Sequence, residues 1–140
     1  MLSIIGLWHK KARPKPTEKD LNVQMGCHIE EFVEMLDALV LDGYNKAYLE
    51  NMLTELADGL KGGSIKIAAI DPKGLLDALC DQVVTASGVG HCAGLHVTEG
   101  VQRVNTSNWS KFVNGEPVFD KNGKIAKPDT YQPPNLEGLY

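Results

Sequence analysis

The sequence predicts an all-helical protein, on the evidence of its hydrophobic spacing, its helix-boundary residues and its size. Apolar residues recur at the 3.6-residue period of an α-helix between residues 20 and 108, and the chain beyond them is rich in Gly, Pro, Asn and Asp. The chain has 140 residues, 43% of them hydrophobic, which suits one compact core. We therefore expect a single domain over residues 1–140, built as a four-helix bundle with an irregular C-terminal tail.

The first two predicted helices follow an N-terminal arm over residues 1–20. The first begins near Asp20 or Asn22 as N-cap and ends near Gly43. The second covers roughly residues 44–60 and ends before the "KGGS" break. The apolar face expected for the first helix consists of Ile29, Phe32, Val33, Leu36 and Val40.

The other two predicted helices precede the tail. One begins with Asp71 as N-cap and Pro72 in the first turn, and runs to about Leu95; the next covers about residues 97–108. The segment 64–70 is a short apolar run that periodicity alone cannot assign to helix or strand. In the tail, residues 109–140, the sequence "DKNGK" predicts a hairpin.

Composition restricts the class of partner and the compartment. A net charge of −4 argues against a surface that binds nucleic acid along its backbone, but allows a small phosphorylated ligand. Cys27, Cys80 and Cys92 form no CxxC pair and lie in apolar helical patterns, so we expect buried, reduced thiols and a cytoplasmic protein. The N-terminal apolar run is too short to span a membrane and has charges after it, so it predicts neither a span nor an export signal.

An acidic cluster marks the first predicted helix. Glu30, Glu31, Glu34 and Asp37 lie within a little over two turns, and no lysine stands three or four residues from any of them. Glu31 lies about 60° from Glu34 around the helix, close enough to share a metal ion. An acidic helix edge is also typical of plain solvated surface.

A second acidic pair stands on the third predicted helix. Asp77 and Asp81 are one turn apart and point away from the apolar face of that helix. Two acidic helices that face each other can form an oxygen-only cage, which Mg²⁺ or Mn²⁺ prefers. A di-iron site would need Glu-x-x-His motifs, which the sequence lacks, and the four histidines lack the spacing of zinc ligands.

Basic and aromatic residues suggest contacts with a nucleotide. In the tail, Asn108 and Lys111 precede Lys124 and Lys127, and a flexible segment of this kind can close over a triphosphate. Near the N-terminus, Trp8 and His9 stand beside a basic run, where an aromatic ring can stack on a base while cations meet phosphate. The alternative for Trp8 is an indole docked on the core.

The motifs "EEFVE", "DALCD" and "SNWSKF…NGKIAKPDTYQPP" together resemble the MazG-like, all-alpha nucleoside triphosphate pyrophosphohydrolases, especially the short phage and bacterial single-domain members. The similarity runs from about His28 to Leu136. It implies a helical protomer that forms homodimers or homotetramers with active sites shared between subunits, in a bacterium or a phage-infected host cell. It also implies two or three Mg²⁺ or Mn²⁺ ions per site.

Transferred residue by residue, the resemblance assigns roles to the acidic groups. The EExxE motif falls on Glu30, Glu31 and Glu34, and the aspartate of the usual ExxD motif falls on Asp81. The glutamate position of ExxD holds Ala78, so Asp77, one residue earlier, is the expected substitute ligand. Metal ligands are then Glu31, Glu34, Asp77 and Asp81, with Glu30 as the base; the substrate-binding set is Asn108, Lys111, Lys124, Lys127, Tyr131, Trp8 and His9.

The expected reaction is cleavage of a nucleoside triphosphate between the α and β phosphates, giving the monophosphate and pyrophosphate. Glu30 or Glu31 would orient or deprotonate the attacking water. A purine deoxynucleotide such as dGTP, as in MazZ-like relatives, is the substrate that the tail favours by analogy. The alternatives are house-cleaning of dUTP or damaged nucleotides, hydrolysis of phosphoribosyl-ATP, and a non-catalytic helical nucleotide-binding oligomer.

Overall fold

The computed structural model describes residues 2–140, so Met1, the first residue of the predicted arm, lies outside it. The described residues form five α-helices and one small antiparallel sheet, which confirms the all-helical class. The chain divides into two compact units. The elements are α1 (Leu2–Ala12), α2 (Glu18–Asp37), α3 (Lys46–Gly62), α4 (Pro72–Cys92), α5 (Val97–Trp109), β1 (Phe112–Val113) and β2 (Glu116–Pro117).

One unit, here called the α2–α3 unit, consists of residues 15–68 and 119–125. Its first helix begins at Glu18, a little earlier than predicted, because Thr17 and Asp20 form a capping box. The Thr17 hydroxyl accepts from the Asp20 backbone N–H at 3.2 Å, and the Asp20 carboxylate accepts from the Thr17 backbone N–H at 2.8 Å. Two N–H groups that no helical carbonyl can reach are thereby satisfied.

Helices α2 and α3 pack against each other along small residues. A Cβ atom added to Gly26 would lie 2.7 Å from the Ala57 carbonyl oxygen and 2.7 Å from Lys61 Cγ, so only glycine fits there. This close approach determines which side chains of α3 reach α2. The buried residues of the two helices are Val23, Gly26 and Leu36 on α2, and Ala57, Gly59 and Leu60 on α3.

Helix α2 ends at Asp37, which corrects the predicted end near Gly43. The Lys46 ammonium donates to the Leu36 carbonyl at 3.0 Å and to the Leu39 carbonyl at 2.8 Å. A cation thus supplies hydrogen bonds to backbone carbonyls at the C-terminal end of the helix. Val40, which was expected on the apolar face, is fully exposed in the connecting loop.

The segment 64–70 contains neither helix nor strand. Hydrogen bonds hold this segment against both helices of the unit. The Ile65 backbone N–H donates to the Gly59 carbonyl of α3 at 3.0 Å, and the Ile67 backbone N–H donates to Asn22 Oδ1 of α2 at 3.1 Å. Gly59 has no side chain, and the Ile65 side chain occupies that space. The short apolar run is therefore an anchored irregular segment.

The predicted hairpin at "DKNGK" is confirmed. Phe119 and Ile125 form an antiparallel bridge, and the Asp120 backbone N–H donates to the Lys124 carbonyl at 2.8 Å. The Asp120 side chain accepts from the backbone N–H groups of Asn122 and Lys124, both at 2.9 Å. These bonds fix the turn that carries Lys124.

The other unit, here called the α4–α5 unit, contains the residues up to Pro14, residues 69–118 and residues 126–140. Helix α1 lies where an N-terminal arm was predicted, which corrects that prediction and raises the helix count from four to five. Ile5, Trp8 and Ala12 recur at helical spacing, and Trp8 and Ala12 are buried. Trp8 meets the Phe112 ring edge to face, with centroids 5.9 Å apart.

The tail is held against α5, which corrects the expectation of a flexible segment. The Ser107 hydroxyl donates to the Gln132 carbonyl at 2.6 Å. Arg103 donates to the carbonyls of Asn135 and Glu137 at 3.0 and 3.1 Å. Leu139 is buried, so this side chain of the tail is part of the core of the unit.

Helix α4 begins as predicted, with Asp71 as N-cap and Pro72 in the first turn; Asp71 Oδ1 accepts from the Lys73 backbone N–H at 3.1 Å. Most of this helix is exposed. The prediction of buried cysteines is wrong for Cys80 and Cys92, which are exposed, while Cys27 is half-buried. Across residues 2–140, none of the helices combines the length and apolar character that crossing a membrane requires.

Candidate active site

The α2–α3 unit brings together Glu30 and two lysines that are distant in sequence. Glu30 Oε1 lies 3.0 Å from the Lys61 ammonium, and Glu30 Oε2 lies 2.5 Å from the Lys124 ammonium. Lys61 follows Glu30 by 31 residues and Lys124 follows it by 94. Both oxygens of this carboxylate are therefore occupied by cations.

Each lysine reaches Glu30 because its own element is fixed. Lys61 stands in the last turn of α3, with its stem against Gly26, and its side chain is only 14% exposed. Its ammonium also meets Asp58 at 3.0 Å. Lys124 projects from the hairpin whose turn Asp120 stabilises. The geometry thus depends on one close helix contact and one tight turn.

The lysines determine the charge state of Glu30. Burial by itself raises the pKa of its carboxyl group, but the hydrogen bonds and charges of Lys124 and Lys61 outweigh burial, and the net shift is downward from 4.5. In the same way, burial lowers the pKa of Lys61 and Lys124, and the bonds to Glu30 reverse that effect and raise both values. All three groups are charged at neutral pH.

The other acids of the first cluster face solvent. Glu31, Glu34 and Asp37 are exposed on α2, within two turns of Glu30. Their carboxylates are hard oxygen donors, the kind that Mg²⁺ and Mn²⁺ bind. Within residues 2–140, no group of three or more His, Cys, Asp or Glu side chains stands close enough together to hold a metal ion.

The second acidic pair belongs to the α4–α5 unit. Asp77 and Asp81 are exposed on α4, one turn apart as predicted. The Thr85 hydroxyl donates to the Asp81 backbone carbonyl at 2.9 Å, one turn further along the helix. The pair presents two carboxylates on one face of α4.

The predicted tail contacts are divided between the two units. In the α4–α5 unit, the ammonium groups of Lys111 and Lys127 lie 5.7 and 5.3 Å from the centroid of the Tyr131 ring. Two lysines of the predicted phosphate-binding set therefore make cation–π contacts with this ring. Asn108 accepts a hydrogen bond from Trp8 through its backbone carbonyl. Lys124 lies in the α2–α3 unit, on Glu30.

Trp8 is packed inside the α4–α5 unit, and His9 beside it is exposed. Trp8 is 7% exposed, and its Nε1–H donates to the Asn108 carbonyl at 2.9 Å. His9 meets the indole edge to face at 4.9 Å; burial, and then the charge of Arg13, lower the pKa of its imidazole. Because the indole faces are covered, Trp8 supports the core here and presents no face on which a base could stack.

A cavity of about 510 Å³ lies at the junction of α4 and α5. His91 and His96 line it together with Glu99 and Gln102. None of the predicted acidic ligands lines it. The cavity therefore contains neither Asp77 nor Asp81, the acidic pair of its own unit.

Lys61 is the residue that sequence reasoning missed. It lies four residues after Ala57, and residues four apart share one face of a helix. Its aliphatic side-chain carbons therefore lie on the same face of α3 as Ala57, the face that packs against α2. That signal was readable in the sequence, but which helix α3 would pack against was not. Without that knowledge, no lysine could be assigned to the acidic cluster.

Comparison with known proteins identifies no relative: no family model matches the sequence, and no curated protein or solved structure shows significant similarity to it.

Proposed function

We propose that this chain is a nucleoside triphosphate pyrophosphohydrolase that cleaves between the α and β phosphates. The observation that carries the proposal is the contact of Glu30 with Lys124 and Lys61. Sequence motifs alone selected Glu30 as a reacting group and Lys124 as a phosphate ligand, although 94 residues separate them. Their contact in one unit supports a common site for acid and phosphate chemistry.

The lysines supply the charge that a triphosphate needs. Two ammonium groups lie within hydrogen-bond distance of Glu30, and Lys61 also meets Asp58, so the two lysines and two carboxylates together carry no net charge until a phosphate oxygen takes the place of a carboxylate. A phosphate oxygen can replace a carboxylate oxygen as partner of either ammonium. Positive charge held in place before the reaction stabilises the charge that develops on the leaving pyrophosphate.

Glu30 stays ionised, because its pKa is lowered. A carboxylate of low pKa accepts a hydrogen bond well but holds a proton poorly, so Glu30 is suited to orient the attacking water. Glu31, exposed one residue later on α2, is the alternative proton acceptor. Water attacks the α-phosphorus, the bond to the α–β bridging oxygen breaks, and pyrophosphate leaves.

The metal ligands proposed are Glu31 and Glu34 on α2, and Asp77 and Asp81 on α4, for two or three Mg²⁺ or Mn²⁺ ions. All four are exposed carboxylates, which fits hard divalent cations. Such ions, when bound, polarise the α-phosphate and lower the pKa of a bound water. An oligomer with sites shared between subunits, as the resemblance implies, would let carboxylates of different copies meet.

A purine deoxynucleotide such as dGTP is the proposed substrate, and Lys111 and Lys127 beside Tyr131 are the proposed secondary phosphate or nucleotide contacts. The test is to incubate the protein with each (d)NTP and Mg²⁺ or Mn²⁺, and to measure pyrophosphate and orthophosphate separately. Pyrophosphate from dGTP in excess of the other nucleotides is expected. No pyrophosphate from any nucleotide would refute the hydrolase, and orthophosphate alone would move the cut to the β–γ bond.

Substitutions identify the site. Glu34→Ala and Asp81→Ala should each abolish turnover while the helical circular dichroism persists. Glu55→Ala, an exposed carboxylate of α3, is the matched control and should keep full activity. Activity that survives both Glu34→Ala and Asp81→Ala would place the metal ions elsewhere.

A further inference from the structure

Trp109, the last residue of α5, has surroundings unlike those of Trp8. It is 39% exposed, whereas Trp8 is buried. Its indole stacks on the Phe112 ring, with centroids 5.4 Å apart and an angle of 29° between the planes. The substrate-binding set that the resemblance implies does not include Trp109. This exposed aromatic ring of the α4–α5 unit therefore has no role in the site described so far.

The Phe112 ring, on which Trp109 stacks, is fixed from two directions. Phe112 pairs with Pro117 across the small sheet, and the two residues of the connecting turn, Asn114 and Gly115, both have positive φ, as the common two-residue hairpin turn requires. On the core side, Phe112 meets the buried Trp8 ring edge to face. An exposed ring held in place in this way loses little side-chain freedom when a ligand stacks on it.

Hydrogen bonds bring the tail close to Trp109. The Ser110 hydroxyl oxygen accepts from the Gln132 backbone N–H at 2.8 Å, and the Ser107 hydroxyl donates to the Gln132 carbonyl at 2.6 Å. These bonds place Tyr131, which directly precedes Gln132, with its Cα atom at most about 12 Å from that of Trp109. The two aromatic residues therefore belong to one small region of the α4–α5 unit.

Two cations share this region with the aromatic rings. The ammonium groups of Lys111 and Lys127 lie 5.7 and 5.3 Å from the centroid of the Tyr131 ring. An ammonium group binds phosphate oxygens, and an exposed indole stacks on a flat aromatic ring. A nucleotide carries both of these groups, whereas inorganic phosphate has no ring and an apolar ligand has no charge. The combination favours a nucleotide as the ligand.

We propose that Trp109 stacks on the nucleobase of the substrate, on the side of the unit where Lys111 and Lys127 meet its phosphates. The inference rests on the proposed function, because it names the base contact of the same nucleotide. Stacking reads the face of a base and not its hydrogen-bonding edge, so it favours a purine through the larger ring overlap. It also gives Trp109 the role that the sequence had assigned to Trp8.

Tryptophan fluorescence tests the contact without any turnover. The full native chain is titrated with dGMP, with dCMP and with inorganic tripolyphosphate, which has charge but no base. We expect dGMP to quench the emission more strongly than dCMP does, and tripolyphosphate not to quench it. Trp109→Phe should abolish the quenching, because the remaining Trp8 is buried, while calorimetric titration shows that dGMP still binds.

Truncation of the ring measures its contribution to affinity. Trp109→Ala should weaken dGMP binding roughly 5- to 150-fold, which is the effect of losing one base–aromatic stack. Trp109→Phe should restore most of that loss, because phenylalanine keeps an aromatic face. Tyr48→Ala is the matched control: it removes an exposed aromatic ring from α3, 64% exposed, and should leave dGMP affinity unchanged.

Two results would overturn the inference: a native chain whose emission dGMP does not quench, and a Trp109→Ala variant that binds dGMP as tightly as the native chain. Emission that changes with protein concentration and not with nucleotide would show a protein neighbour on Trp109 and would overturn it as well. Quenching without pyrophosphate release from any triphosphate would support the stacking role and refute the hydrolase. Pyrophosphate release without quenching would refute the role of Trp109 alone.

Discussion

At the scale of single residues, the site is organised by the charge balance around Glu30. One carboxylate accepts from two ammonium groups, and the pair of lysines lowers its pKa against the opposing effect of burial. The same contacts raise the pKa of each lysine. A change in any one of the three residues therefore alters the pKa of the others.

The pH dependence of stability follows from the direction of this shift. A lowered pKa in the folded state means that the contribution of Glu30 is complete above its ordinary value of 4.5 and is lost as the pH falls through the lower, folded value. We expect the free energy of unfolding to fall more steeply for the native chain than for Glu30→Gln as the pH drops below 4.5.

Urea unfolding at each pH measures this difference. Glu55→Gln removes an exposed carboxylate of α3 and is the matched control for lost charge. If Glu30→Gln and the native chain had parallel profiles, the ion pairs of Glu30 would contribute nothing measurable to stability.

At the scale of the elements, capping residues determine where the helices begin. Thr17 makes a full capping box, whereas Asn45, which precedes α3, makes no side-chain bond to the helix. Thr17→Ala should lower the free energy of unfolding by about 1 kcal/mol. Asn45→Ala should cost clearly less, and chemical denaturation of the two variants compares them directly. Equal losses would show that the bonds of Thr17 are not the cause.

The contact of α2 with α3 is limited by a glycine. Gly26→Ala would bring a methyl group to 2.7 Å from the Ala57 carbonyl oxygen, which is backbone and cannot move aside cheaply. We expect a loss of about 1–3 kcal/mol from overpacking. Gly6→Ala in α1 meets nothing within 4 Å, so it should be neutral or stabilise by about 0.5–1 kcal/mol through helix propensity.

The midpoint of thermal unfolding compares the stability of these two variants, which carry the same substitution in two different helices. A Gly26→Ala variant as stable as the native chain would mean that the helices can separate at no cost. Because the added methyl group would also lie 2.7 Å from Lys61 Cγ, the same variant should weaken the contact between Lys61 and Glu30.

At the scale of the whole molecule, the chain leaves many large hydrophobic side chains exposed, including Leu76 and Val84 on α4 at 65% and 69%. Covering such side chains by association would stabilise the folded chain. If copies of the chain associate in this way, the midpoint of thermal unfolding should rise with protein concentration, because association favours the folded state. Val83→Glu, which places a charge among the exposed apolar side chains of α4, should weaken that rise.

The sequence by itself determined the helical class and several boundaries. The N-cap Asp71 and the first-turn Pro72 were readable because capping depends on neighbouring residues only. The same is true of the "DKNGK" turn, which one side chain stabilises. Helix α1 is not predicted, although Ile5, Trp8 and Ala12 have helical spacing, because the prolines that follow it, at positions 14 and 16, indicate an extended arm.

Only the tertiary structure decided which residues meet. The burial of Trp8, the anchoring of the tail by Arg103 and the partners of Glu30 all depend on contacts between residues far apart in the chain. Spacing along a helix shows which face a residue occupies, but not what packs against that face. The sequence could therefore name Glu30 and Lys124 separately, and their contact, together with Lys61, required the fold.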